Sequence, residues 1–179
     1  HECLEIPIIA VQVARLVPAA KSQIWAALHT ADDLHRAIYT TASGFLGRLC
    51  FSGDPEAFAG EKHDMAKRAV ALYAKCAPTI RDGASRLLGS HTDTWSDPQG
   101  WQASVRVHPS GKEAVVVFHL FHNADGETEA VLRVPALAGM RVEQFLAEDG
   151  VRVRTEEDGL HIPLTGDFQG VVAYLARVG

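Results

Sequence analysis

The hydrophobic pattern of this chain changes its period near residue 85. Upstream of that point, apolar residues recur at helical spacing and alternate with short, continuous apolar runs. Downstream, the pattern is almost entirely the two-residue period of β-strands, interrupted by turns that glycine or proline marks. The change predicts two architectures within 179 residues: an α/β part over residues 1–84 and an antiparallel β-sandwich over residues 85–179.

The first part predicts the order helix, strand, helix, strand, helix. The predicted elements are a short helix that Pro18 closes, a strand over Ser22–Leu28, a helix that begins at a capping box over Thr30–Asp33, a strand over Leu46–Phe51, and a helix near 61–77 that Pro78 stops. Alternation with short connections indicates parallel strands.

Two parallel strands alone leave open edges and unburied helices. The pattern therefore indicates a piece of a larger α/β domain. It also predicts that the missing strands would cover a face formed by Ile24, Ala26, Leu49 and Phe51.

The second part predicts seven strands, with an eighth possible near Ser85–Leu88. The seven are Trp101–Val107, Glu113–Phe121, Glu129–Val134, Arg141–Leu146, Val151–Arg154, Leu160–Leu164 and Gly170–Arg177. The strongest hairpin signal is Asp158-Gly159, which separates two of these runs.

Charge and cysteine usage exclude several function classes. The net charge is −5 and the 17 basic residues are scattered, which argues against nucleic-acid binding. No apolar run approaches a membrane span, and no cofactor or metal is predicted. Cys3, Cys50 and Cys76 lack CxxC spacing, which indicates buried, reduced thiols in a cytoplasmic protein, with a zinc site or a disulfide framework as the alternatives.

The candidate binding residues follow or lie in the two predicted parallel strands. Ser52, Gly53 and Asp54 come directly after a buried strand, where α/β folds gather their functional groups. The alternative is a turn in which Asp54 caps and Gly53 supplies a positive φ. Trp25 also has two interpretations, an aromatic platform for a sugar ring or a core residue.

Other residue types carry weaker signals. His119 and His122 are expected on opposite faces of a strand and so cannot chelate one ion. His29 is expected at the surface or in a cleft, and the acids at 32 and 33 at a helix start. Trp101 is expected to plug the space between the two halves, with an exposed carbohydrate platform as the alternative.

Several segments together resemble the C-terminal end of α-galactosidases of the melibiase and raffinose-synthase type. The resemblance covers most of the chain in order and is strongest from 4 to 120. The segments are Leu4–Ala10, Ser22–Ala26, Phe45–Asp54, Leu72–Lys75, Ile80–Gly83 and Gly100–Ala103.

The resemblance implies the last two β/α units of a TIM-type (β/α)8 barrel followed by a β-sandwich. Enzymes of this type retain anomeric configuration with two Asp carboxylates, a nucleophile and a general acid/base. Neither matching motif occurs in this chain, so no residue here inherits a catalytic role. Ser52, Gly53 and Asp54, with Trp25, would lie on the barrel rim and face an α-galactoside.

Three functions follow as hypotheses. The first is the C-terminal part of a retaining exo-glycosidase that acts on terminal α-galactosides, inactive alone and possible as a homo-oligomer. The second is an independent carbohydrate-binding or interaction module without catalysis. The third is galactosyl transfer by an enzyme of the same architecture. An upstream reading frame with two carboxylate motifs would favour the first over the second.

Overall fold

The computed structural model describes residues 3–89, 98–123 and 125–177. Three α-helices are present: α1 is Ile6–Val13, α2 is Leu34–Gly44 and α3 is Gly60–Asp82. The strands are β1 Gln23–Leu28, β2 Arg48–Gly53, β3 Ala84–Gly89, β4 Trp101–Val107, β5 Glu113–Leu120, β6 Glu129–Leu132, β7 Met140–Leu146, β8 Arg154–Glu156, β9 Gly159–Pro163 and β10 Gly170–Arg177. Single 3-10 turns lie at Ala19–Lys21, Pro55–Ala57 and Pro135–Leu137.

The strands form three sheets. β1 and β2 pair in parallel, and the remaining strands pair antiparallel in a five-stranded sheet of order β3-β4-β5-β10-β7 and a three-stranded sheet of order β6-β9-β8. The hairpin predicted at Asp158-Gly159 joins β8 to β9, with Glu156 opposite Gly159. The predicted parallel pair and the antiparallel sheets after it are therefore confirmed.

The five-stranded sheet separates two apolar cores. On one face, Val117 and Val172 pack with α2, α3 and β1. On the other face, Phe118 and Val171 pack against the three-stranded sheet, which contributes Leu160. The alternating residues of β5 and β10 supply both cores, because neighbouring strand residues point to opposite faces. The resulting layers are helices and parallel pair, five-stranded sheet, and three-stranded sheet.

Two helix boundaries differ from the predicted ones. The N-cap of α2 is Asp33, whose carboxylate accepts a hydrogen bond from the Arg36 amide at 2.8 Å, so the predicted capping box at Thr30 is wrong. Helix α3 continues past Pro78 to Asp82. Proline costs about 3 kcal/mol inside a helix, but Cys76 lies buried just before it, and Thr79 and Ile80 just after it, so packing holds the last turn in place.

The predicted open face of the parallel sheet is also wrong. Ile24 and Ala26 are buried, and Leu49 and Phe51 pack partly buried against the same core. These four residues point toward the helices. The open face of the pair is the opposite one, and it carries Trp25.

The three cysteines are free, as predicted, but only two of them are buried. Cys3 and Cys76 lie in the interior, whereas Cys50 in β2 is half-buried. In the part of the chain that the structure describes, no helix is both long and apolar enough to cross a membrane.

Candidate functional site

The parallel strands bring Trp25 and Ser52 to one face of the sheet. β1 and β2 pair with Trp25 beside Cys50 and Ala27 beside Ser52. Buried and accessible side chains alternate along β1, and the side chain of Trp25 is 56% exposed. This exposure shows that the indole is not part of a core formed by the described residues. Trp25 and Ser52 thus share the open face, with Ser52 near the carboxyl end of β2 and Trp25 in the middle of β1.

Gly53 occupies a position that no other residue type fits. Its φ is 108°, in the region that favours glycine, and a Cβ atom there would overlap the carbonyl oxygen of Leu28 in the neighbouring strand. The structure therefore gives this glycine a packing reason: it lets β2 end in close contact with β1.

Asp54 ties the loop after β1 to the end of β2. Its carboxylate accepts hydrogen bonds from the backbone amide of Thr30 at 3.0 Å and from the Thr30 hydroxyl at 3.5 Å. The Nδ1 atom of His29 lies 3.5 Å from the same oxygen. The Thr30 amide, followed by the nearby His29, holds the pKa of Asp54 below its usual value. Asp54 is about half exposed, so its second oxygen still faces solvent.

Lys62, which the sequence analysis did not identify, holds the same loop from below. Its ammonium donates to the carbonyl oxygens of His29 and Thr30, each at 3.1 Å, and of Asp32 at 2.8 Å. Asp32 in turn accepts a hydrogen bond from the His29 amide at 2.7 Å and pairs with Arg36 at 2.9 Å. Three loop carbonyls converging on one cation make the loop a fixed platform beside Asp54.

This arrangement suits binding better than proton transfer. A glycosidase general acid needs a raised pKa so that it remains protonated, whereas the pKa of Asp54 is lowered. An ionised carboxylate and a serine hydroxyl are the acceptor and donor that sugar hydroxyls require. Trp25 adds an exposed aromatic face of the kind that stacks on a sugar ring.

The structure separates His119 from His122. His119 is fully buried, with Nε2 3.1 Å from the Ser43 hydroxyl, and burial lowers its pKa to about 3. The Nδ1 atom of His122 lies 2.6 Å from Asp167 at the surface. The two imidazoles have different partners and do not form one ligand set.

Trp101 does not plug the space between the two halves, so that prediction is wrong. It is half-buried and packs on the side of the five-stranded sheet that faces the three-stranded sheet, with its ring centroid 5.6 Å from that of Phe118. In β4 the indole alternates with Gln102 and therefore points away from the helices.

Among the described residues, one group of side chains has metal-ligand chemistry. Glu156, Asp158 and His161 have ligand atoms within 4.8 Å of one another. The two carboxylates already pair with guanidinium groups, Glu156 with Arg154 at 2.6 Å and Asp158 with Arg133 at 3.0 Å. Because both acids are neutralised by arginines, the group is an ion-pair network of the hairpin rather than a prepared metal site.

Comparison with known proteins gives matches among solved structures. No protein-family model matches the chain, and no curated protein matches it at a significant level. Among solved structures, the galactosidase domain of the α-galactosidase–sucrose kinase AgaSK aligns with a TM-score of 0.70 at 12% identity over 98% of this chain and 25% of its own.

Two further structures are α-galactosidases, one of them described as a GH36 enzyme. The AgaA A355E D548N enzyme of Geobacillus stearothermophilus, in complex with raffinose, aligns with a TM-score of 0.67 at 14% identity over 98% of this chain and 24% of its own. The Lactobacillus brevis α-galactosidase aligns with a TM-score of 0.65 at 15% identity over 97% of this chain and 24% of its own.

This chain has the fold of the C-terminal region of GH36 α-galactosidases. It spans about a quarter of the length of the structures it matches. At these identities the likeness concerns the fold alone.

Proposed function

We propose that this chain is the C-terminal part of a retaining glycoside hydrolase that acts on terminal α-galactosides. In this proposal, residues 1–84 are the last two β/α units of a (β/α)8 barrel and residues 85–179 are the β-sandwich domain that follows it. The shared fold over almost the whole chain, combined with coverage of about a quarter of each matched structure, supports the assignment.

The observation that carries the proposal is the incomplete parallel sheet. Within the described residues, β1 pairs with β2 alone, although parallel strands are normally covered on both faces and flanked by further strands. Apolar side chains of α1 are exposed beside β1: Ile9 is 50% exposed and Val13 37%, and both line a cleft with Ile24. A neighbouring strand and helix of a larger barrel would cover this edge and these side chains.

Within that barrel, the open face of β1 and β2 would point to the interior and the ends of the strands to the substrate. Ser52, Gly53 and Asp54 would then lie on the rim, with Trp25 below them. We propose that Ser52 and Asp54 bond sugar hydroxyls and that Gly53 allows the close approach of the backbone. Raffinose, the sugar held by one of the matched enzymes, has the terminal α-galactoside that this rim would receive.

The proposal assigns both catalytic carboxylates to the part of the barrel upstream of His1. Covalent retention needs a nucleophile and an acid/base on opposite sides of the glycosidic bond, and the lowered pKa of Asp54 suits neither proton donation nor the acid/base exchange. The chain by itself is therefore expected to be inactive. Transfer to a sugar acceptor instead of water would use the same site.

The test compares this chain with the product of the complete gene on a chromogenic α-galactoside. The chain alone should show no turnover above buffer, and the complete product should show turnover that Trp25→Ala and Ser52→Ala impair mainly through KM. Turnover by the chain alone would contradict the proposal. A complete gene that begins at or near His1 would also contradict it and favour an independent binding module.

A further inference from the structure

A second pocket lies away from the proposed sugar site, between the end of α1 and the strands β3 and β4. Its volume is about 420 Å3, within the range of small-molecule sites. The lining residues are Val11, Ala14, Arg15, Leu46, Ser85, Leu87, Ser104 and Arg106. Two are basic, two carry hydroxyls, four are apolar and none is acidic. Leu46 precedes β2, so this pocket is at the opposite end of that strand from Asp54.

Arg106 is the unusual residue of this pocket because its side chain is largely buried and has no counter-ion among the described residues. The residue is only 9% exposed. Its Nη1 atom donates to the carbonyl oxygens of Ile80 at 3.2 Å and Gly83 at 3.5 Å, at the end of α3. No carboxylate of the described residues forms an ion pair with it.

The bonds to α3 use only part of the guanidinium. Arginine has five N–H donors in a planar fork, and the two carbonyls account for those on Nη1. The Nε and Nη2 groups have no acceptor among the described residues. A role limited to capping α3 would therefore leave three donors of Arg106 without an acceptor in the described part of the chain.

Burial of an unmatched charge is costly unless a partner neutralises it. Burial lowers the pKa of Arg106, but a guanidinium remains charged at neutral pH. Arg15 adds a second, exposed guanidinium to the same pocket, and Ser85 and Ser104 add hydroxyl donors. The lining thus offers donors and positive charge to a ligand that supplies acceptors and negative charge.

We propose that this pocket binds a small organic carboxylate with a short aliphatic body. The carboxylate would accept from Arg106 and Arg15, since a planar fork matches two carboxylate oxygens. The aliphatic body would contact the apolar wall formed by Val11, Leu46 and Leu87. The proposal does not depend on the glycosidase assignment, because none of these residues belongs to the proposed sugar site.

The experiment titrates the chain with hexanoate and, separately, with inorganic phosphate at constant ionic strength held by chloride. Binding is followed by calorimetry and by NMR shifts of the Ser85 and Ser104 amides. Saturable hexanoate binding with shifts at both amides is the expected result. Saturable binding of phosphate but not hexanoate would overturn the aliphatic carboxylate assignment. Absence of saturable binding of either anion would overturn the site.

Variants separate the pocket from the fold. Arg15→Gln removes an exposed cation that forms no side-chain hydrogen bond with the described residues, and it should weaken hexanoate binding about 10-fold, the value of one charge-assisted hydrogen bond. Arg106→Gln should weaken hexanoate binding about 10- to 100-fold. The folding of this variant is verified separately, because Arg106 also donates hydrogen bonds to the end of α3. Arg86→Gln is the matched control, since Arg86 lies between Ser85 and Leu87 on the other face of β3. Equal affinity in Arg15→Gln, Arg106→Gln and the control would overturn the proposal.

Discussion

At the scale of single residues, the end of β2 combines a packing requirement with a polar group that faces outward. Gly53 permits close contact with Leu28, and Asp54 bonds the loop at Thr30. The same short segment therefore holds the two strands together and presents a carboxylate at their end. Its two functions can be separated by measuring stability and binding on different variants.

Gly53→Ala tests the packing requirement. Because the new methyl group overlaps the Leu28 carbonyl and the φ is positive, we expect a loss of about 2 kcal/mol or more in the free energy of unfolding. Gly150→Ala is the control, since Gly150 also has a positive φ but open space around it. Equal losses in denaturant unfolding of the two variants would contradict the close-approach argument.

His161 makes stability depend on pH. Its Nδ1 lies 2.8 Å from Glu129 and its Nε2 2.7 Å from Asp158, and these hydrogen bonds, Glu129 first, raise the pKa of His161. The folded pKa is above the unfolded value of about 6.5, so this stabilisation is complete below about pH 6.5 and is lost as pH rises through the folded pKa.

The measurement is Tm from about pH 6 to about pH 9 for the natural chain and His161→Gln. We expect the difference between them to shrink as pH rises, because only the natural chain loses a proton from this network. Arg154 and Arg133 also pair with the acids around His161 but stay charged throughout this range. If the Tm values of the two proteins changed with pH in parallel, the pH dependence of stability would not come from His161.

At the scale of elements, the parallel pair β1–β2 has one covered face and one open face. Ile24 and Ala26 pack beneath the helices, and Trp25 stands exposed on the other side. Along β2, Leu49 and Phe51 pack against the helical core, so alternation places Cys50 on the open face. This assignment of faces is open to chemical test.

Thiol labelling should distinguish the faces. Cys76 is buried, and burial raises its pKa to about 12, so its thiolate is scarce and inaccessible. Cys50 is half-buried in β2. We expect one fast-reacting thiol per native chain, identified by peptide mass spectrometry as Cys50 and absent in Cys50→Ser. Labelling of Cys76 before Cys50 would mean that the faces are assigned the wrong way round.

Local patterns predicted which elements form better than they predicted where those elements end or face. Periodicity identified all three helices, and the Gly170–Arg177 strand matches the structure residue for residue. The local cost of Pro78 predicts a helix stop, but the buried residues on either side of it outweigh that cost and α3 continues to Asp82. The local pattern predicts the cap at Thr30, but Asp33 caps α2 in the structure. Thr30 instead donates a hydrogen bond to Asp54, which comes from a distant part of the chain.

The candidate site was predictable only in part for the same reason. The predicted strand over Leu46–Phe51 placed Ser52 and Asp54 at a strand end. In the structure the strand is half-buried and extends to Gly53, so Ser52 lies within β2 and Asp54 directly follows it. Lys62 carries no local signal, because its role depends on α3 passing under the loop after β1. The faces of β1 were assigned wrongly because both of them carry apolar side chains, Ile24 on one and Trp25 on the other, and the helices cover only one.

At the scale of the whole molecule, the helical part and the β part share one core. Ile38 of α2 and Leu72 of α3 belong to the same buried cluster as Val117 and Val172 of the five-stranded sheet. Helices and sheet therefore bury each other across the boundary proposed at residues 84 and 85. Removing the helical layer would expose one face of β5 and β10 to water.

Ile38→Ala tests this coupling. The truncation of a fully buried side chain should cost about 2–5 kcal/mol, and hydrogen exchange should accelerate in β5 and β10 together with α2. Val70→Ala, on the exposed side of α3, is the control and should change little. Faster exchange confined to α2 would indicate that the β-sandwich is stable independently of the helices.

We propose that this fold completes a retaining α-galactosidase. The test follows, by proton NMR, the galactose released while the complete gene product hydrolyses an aryl α-galactoside. Because two displacements restore the starting configuration, α-galactose should appear first and the β-anomer should grow in only by mutarotation. First appearance of the β-anomer, or no hydrolysis of α-galactosides by the complete gene product, would contradict the account.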